Sequence, residues 1–158
     1  MKQYSVEGKT ITLKVKKSPI IVRGIMFLFA FASFILPIIG MIAGISSRKG
    51  FHMGYLVGIF LFGLIGFYLL RISLWNTYGV ETIKLFTAQI EYEADYGWFK
   101  DGKKSIQLNN LKLSINHVGY QEDNLGTLVV SDDNEKIESV VKMHINQLEE
   151  LINEIKNL

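Results

Sequence analysis

The sequence predicts an α+β membrane protein. A two-helix transmembrane hairpin is set into an antiparallel β domain, and an amphipathic C-terminal helix closes that domain. Three observations carry the prediction. Two uncharged runs, residues 24–47 and 50–70, are 24 and 21 residues long; about 20 apolar residues rising 1.5 Å each suffice to cross the hydrocarbon of a bilayer. No Asp or Glu occurs from Gly8 to Val80. The remaining residues form short alternating apolar and polar runs broken by turn residues, followed by one helical repeat.

Charge divides along the same lines. Residues 1–23 carry +5, residues 24–79 carry +3 and residues 80–158 carry −6. The large polar part is therefore acidic and would repel phosphates, which excludes a simple nucleic-acid-binding domain. The 158 residues include no cysteine, so disulfides, thiolate metal sites and a cysteine nucleophile are excluded too. Lys (14) far exceeds Arg (3), and Ile and Asn are frequent, a usage that fits an AT-rich bacterial genome.

The spans are expected at about 20–46 and 51–75, within a hairpin segment 18–78. A buried helix pair in a soluble core is the alternative, but uncharged runs this long are rare there. A cleaved signal peptide fits poorly, because a polar, strand-like segment precedes the first run and a second run follows at once. The connection Ser46-Ser47-Arg48-Lys49-Gly50 is short enough only for a tight turn, so the chain leaves and re-enters on one side. Lys14, Lys16, Lys17, Arg23, Arg71 and Lys84 flank the terminal side, against Arg48 and Lys49 in the turn. Positive charge marks the cytoplasmic face. The expected location is the bacterial inner membrane, two-pass, with both termini cytoplasmic. Trp75 and Tyr78 fit an interfacial aromatic anchor on that side, and Tyr55 one on the other.

Within the spans, Gly40-x-x-x-Gly44 and Gly54-x-x-x-Gly58 have the small-residue spacing that lets helix backbones approach. A turn near residue 49 sets Gly44 opposite Gly54, Gly40 opposite Gly58 and Ala32 opposite Gly66. These six residues are the expected packing seam within the hairpin; a seam between two copies in a homo-oligomer is the rival. Pro37 should bend the first helix. Neither span holds an ionisable residue at depth, which argues against a transporter acting alone.

In the polar parts, Ile11, Leu13 and Val15 alternate with Thr10, Thr12, Lys14 and Lys16, a half-buried strand after a turn at Glu7-Gly8-Lys9. Residues 1–17 cannot form a domain alone and are expected to join the sheet of residues 79–158, which packed antiparallel helices would bring alongside. In that second segment Thr82 to Tyr92 reads as strand. Trp98 to Lys104 reads as a hairpin turning at Asp101-Gly102, and Ser105 to Leu108 continues it. Leu111, Leu113, Ile115 and His117 share one strand face. Gln121 to Gly126 is a polar turn, Thr127 to Ser131 a strand, Asp132-Asp133-Asn134 a turn, and Lys136 to Met143 a last strand. A helix is expected at 147–157. Asn146 and Glu149 form a variant capping box at its start, and Leu148, Leu151, Ile152, Ile155 and Leu158 form its apolar face.

The order of elements resembles the bacterial membrane-anchored PH-like domain proteins, including the YcxB-like group. The residues carrying the resemblance are the Ile11–Val15 strand, the two spans, Trp98-Phe99 with the strand after it, Gly126-Thr127-Leu128-Val129-Val130, and the helix from Asn146. The resemblance implies a membrane-associated binding or scaffold module. It does not extend to clustered basic residues in the first hairpin, where only Lys9 stands, as phosphoinositide binding would require.

Catalytic and metal signatures are missing from the sequence. His52, His117 and His144 have no ligand spacing. Asp132-Asp133-Asn134-Glu135 lacks the spacing of a calcium loop. No phosphate-binding glycine loop or nucleophile elbow occurs. The expectation is no enzyme and no cofactor. The expected partners are membrane lipids around the spans and a protein bound through Glu91, Glu93, Asp95, Trp98 and Phe99, of which the three acids share one strand face. Two other readings stand beside a scaffold. One is an immunity protein against a membrane-acting toxin, and the other is an accessory subunit of a membrane transport or secretion complex.

Overall fold

The structure, a computed structural model, describes residues 2–107, 110–132 and 135–157. The expectations for Leu108, for Asp133-Asn134 and for Leu158 lie outside these residues, as do the side chains of Arg48 and Lys49. The chain divides into two compact units, Lys17–Thr77 and the combination of Met1–Lys16 with Tyr78–Leu158.

The helical unit contains α1 (Ile20–Gly44), a π-helical turn (Ile45–Lys49) and α2 (Met53–Tyr78), which runs one residue into the other unit. The first span is expected to end at about residue 46; helical backbone continues through that turn to Lys49, and the chain reverses at Gly50-Phe51-His52. Gly50 takes φ +73° there. Ser33, Ser47, Ser73 and Thr77 each donate their hydroxyl to the carbonyl four residues back, so these polar groups are satisfied within their own helix.

The strand unit holds two antiparallel sheets. The first runs in sequence order: β1 (Tyr4–Glu7), β2 (Thr10–Lys14), β3 (Val80–Leu85), β4 (Gln89–Asp95) and β5 (Lys100–Gln107). β2 and β3 are neighbours from Thr10 opposite Lys84 to Lys14 opposite Val80, although both helices lie between them in sequence. The second sheet centres on β7 (Leu125–Ser131), with β6 (Lys112–His117) on one side and β8 (Lys136–Glu138) and β9 (Met143–His144) on the other. Period-two alternation buries Ile11 and Leu13, Ile83, Ile90 with Tyr92 and Ala94, and Leu128 with Val130.

Helix α3 (Ile145–Lys156) lays Leu148, Leu151, Ile152 and Ile155 on this core. A Cβ at Gly126 would stand 2.7 Å from Ile115 Cγ2 and 3.1 Å from Leu148 Cδ1, so glycine lets the helix approach β7. The helix starts two residues earlier than expected. His144 is its N-cap, without a side-chain cap bond, and Asn146 lies inside the first turn.

Two strand expectations are corrected. Asp101-Gly102 is not the hairpin turn but lies within β5. Tyr92 pairs with Lys104 and Ala94 with Asp101, so the register shifts beside Glu93 in a β-bulge. Gly102, at φ +67°, supplies the left-handed residue that a bulge needs as much as a turn does. The chain turns instead at Tyr96-Gly97-Trp98-Phe99, closed by Tyr96 N–H donating to Phe99 C=O at 2.9 Å. The last strand, expected from Lys136 to Met143, is broken into β8 and β9. Ser139 Oγ accepts from Leu128 N–H, and the next two amides turn away from β7 toward β3.

Candidate functional site

Those two amides end on a buried carboxylate. Glu81 occupies an inward position of β3 and is wholly inaccessible to solvent. Its Oε1 accepts from Tyr92 Oη–H at 2.5 Å and from Val140 N–H at 2.6 Å; its Oε2 accepts from Val141 N–H at 3.1 Å. One side chain thus joins β3 and β4 of the first sheet to the β8–β9 connection of the second. Burial raises its pKa above the ordinary carboxylate value, outweighing the three donors, which pull the other way. Burial also raises the Tyr92 pKa, with the neighbouring Glu81 charge adding to it. The sequence reading missed Glu81. The available signal was its phase, since it shares the inward alternation of Ile83.

The acidic row lies where alternation put it, on the outer face of β4, and it is charge-compensated. Lys100 Nζ bonds Glu93 Oε2 at 2.7 Å and holds that carboxyl below its usual range. Lys84 stands opposite Glu91 in register and Thr82 opposite Glu93. With Tyr92 and Lys103, four of these residues (Thr82, Lys84, Glu91 and Glu93) line a shallow cleft of about 80 Å³. Asp95 Oδ1 accepts from Gly97 N–H at 2.7 Å, so it serves the turn. The face is a mixed-charge lattice more than an acidic patch.

Trp98 and Phe99 part company. Trp98 is 63% exposed at the tip of the β4–β5 turn. The half-buried Phe99 stacks on Tyr96, with ring centroids 4.8 Å apart and planes 12° apart.

The glycine seam differs from expectation. Gly44 lies against Tyr55, and a Cβ at Gly66 would stand 2.9 Å from the Phe34 ring. The helices are thus antiparallel, but aromatic rings rather than small residues meet two of the six seam positions. Gly40, Gly54 and Gly58 have open space where a Cβ would stand. They line an apolar cleft of about 420 Å³ with Leu36, Pro37, Met41, Tyr55 and Phe62. Ala32 is half-buried, and the atoms nearest to a Cβ at Gly66 all belong to the Phe34 ring. Gly66→Leu should therefore lower the melting temperature of the detergent-solubilised chain. Gly40→Leu should leave it within the change of about 0.5 kcal/mol usual for surface substitutions. Equal losses in the two thermal melts would contradict this packing.

Among the described residues, no group of three His, Cys, Asp or Glu side chains is placed to hold a metal. His52, His117 and His144 are exposed and apart in sequence. The features together define an α+β chain with two helices long and apolar enough to cross a membrane and a strand unit of antiparallel sheets. No family model, curated protein or solved structure matches this chain.

Proposed function

We propose that the chain is a two-pass protein of the bacterial inner membrane with both termini cytoplasmic. Its strand unit is then a PH-like module, akin to the YcxB-like group, that binds or scaffolds a protein partner without catalysis. One observation carries the reading: two apolar helices interrupt a sheet between neighbouring strands, β2 and β3. A two-pass hairpin returns the chain to the face it left, and exit and return at adjacent strands fit that.

Other observations support it. Only 6% of each apolar helix window is buried, whereas a soluble core helix hides most of its apolar face. The hydroxyls of Ser33, Ser47, Ser73 and Thr77 are satisfied within their own helix, as hydrocarbon demands. A five-stranded sheet, a smaller second sheet and a closing C-terminal helix agree with the PH-like ordering. A second reading, an accessory subunit of a membrane complex, is favoured by the open glycine-lined cleft, since small residues admit a neighbouring helix.

Single-cysteine labelling tests the topology, because the chain has no cysteine of its own. An impermeant maleimide should label Phe51→Cys on intact cells and Lys104→Cys only after lysis. The reverse pattern would overturn the orientation. From the same membranes, a tagged chain should recover a stoichiometric protein partner in mild detergent. Recovery of the chain alone would remove protein binding from the proposal.

A further inference from the structure

We propose that the β4–β5 turn is a membrane-contacting element, with Trp98 seated in the headgroup layer. The inference rests on the membrane-spanning reading above. Its ground is one end of the first sheet. Lys14 lies opposite Val80, Val80 opposite Asp95 and Asp95 opposite Lys100, so these four residues mark one edge across four strands. The chain departs for α1 just after Lys14 and returns from α2 just before Val80. If the helices span a bilayer, this edge is held at its surface at two points.

The turn is pinned to that edge. A Cβ at Gly97 would stand 2.7 Å from Tyr78 Cβ, so the turn sits directly on the residue where the chain leaves α2. Gly97 is left-handed at φ +86°, its N–H is held by Asp95, and the Tyr96–Phe99 stack anchors both flanks. This frame holds Trp98 out at 63% exposure, one residue on from the glycine that meets Tyr78, itself 49% exposed.

A headgroup layer suits this ring, because indole pairs an apolar body with a polar N–H and concentrates at membrane interfaces. Lys14 and Lys16, exposed at the same edge, suit the anionic surface of a cytoplasmic leaflet. The opposite end of the same strands has a different aromatic, Phe86, in the β3–β4 turn, and it provides an internal control.

The test uses the full chain in vesicles of phosphatidylcholine and phosphatidylglycerol, with phosphatidylcholine brominated near the top of its acyl chains as the quencher. Trp75 and Trp98 are the two tryptophans, so Trp75→Phe leaves Trp98 alone and Trp98→Phe leaves Trp75 alone. Trp98 emission should be blue-shifted, shielded from acrylamide and reduced about twofold by the brominated lipid. Trp75 should be quenched as well. A tryptophan carried by Phe86→Trp in the doubly substituted chain should remain water-like and unquenched.

If Trp98 emits as in water while Trp75 is quenched, the turn proposal is overturned and the spanning reading stands. If neither is quenched, the spanning reading falls and takes the proposal with it. Quenching of the Phe86→Trp reporter equal to that of Trp98 would also overturn the proposal. Should Trp75→Phe fail to fold, Trp98→Cys carrying an environment-sensitive dye gives the same depth reading in the otherwise native chain.

Discussion

Replacing Glu81 with alanine is expected to cost about 3–5 kcal/mol, enough to unfold many domains of this size. The loss does not come from the carboxylate alone. It strands three buried donors, Tyr92 Oη–H, Val140 N–H and Val141 N–H, and each unsatisfied buried donor costs about 1–3 kcal/mol before relaxation. Tyr92→Phe removes one donor and keeps the ring, so it should cost less than Glu81→Ala. Chemical denaturation followed by circular dichroism in mild detergent would measure both. A loss below about 1 kcal/mol for Glu81→Ala would mean that the two sheets are not joined through this group.

Glu81 also sets a pH dependence whose sign follows from its raised pKa. The folded state holds this proton more tightly than the unfolded state does. The stability it contributes is fully present below the unfolded value near 4.5 and is lost as pH rises through the higher folded value. Glu93 and Glu138, with lowered pKa values, act in the opposite sense: their contributions are lost as pH falls. Both are solvated, so screening keeps their effects small. Glu81→Gln removes only the first trend. The stability difference between native chain and variant should therefore vary with pH above about 4.5, and a flat difference would refute the assignment.

Residues 79–158 expressed without residues 1–17 are expected not to fold. β2 is an interior strand of the first sheet and contributes Ile11 and Leu13, both wholly buried. Losing them removes two core side chains worth about 2–5 kcal/mol each by truncation and leaves β3 as an open edge. Joining residue 17 to residue 79 by a short linker should restore a cooperative unfolding transition, since Val15 N–H already donates to Gly79 C=O at 3.0 Å. A joined chain no better folded than 79–158 would show that the helices are needed to build the sheets.

How far the sequence could be read depends on how local each signal is. The two apolar helices were legible because an uncharged run of this length needs no tertiary context. So was the buried face of α3, where Leu148, Leu151, Ile152 and Ile155 repeat at helical spacing. Asp101-Gly102 misled because left-handed glycine serves a two-residue turn and a bulge alike. Only the register of Tyr92 against Lys104 and Ala94 against Asp101 decides between them. The outward phase of Glu91, Glu93 and Asp95 followed from alternation, but the partner that neutralises Glu93 lies seven residues away across a turn. Glu81 was the least legible. Its backbone donors lie 59 and 60 residues further on, and no local pattern announces a break in the last strand. The glycine spacing suggested close helix contact, yet the rings of Phe34 and Tyr55 occupy that space at Gly66 and Gly44.

The interruption of the sheet between β2 and β3 has a consequence for biosynthesis. β1 and β2 leave the ribosome first, yet β2 acquires its second neighbour only after both helices have been made. If those helices cross a bilayer, a chain in which just one has crossed holds β2 and β3 on opposite faces. The β2–β3 pairing cannot then form, and Ile11, Leu13 and Ile83 stay open to proteases. Completion of the strand unit becomes a proofreading step on insertion: only chains with an even number of crossings mature, and the rest are marked for removal by their own exposed core.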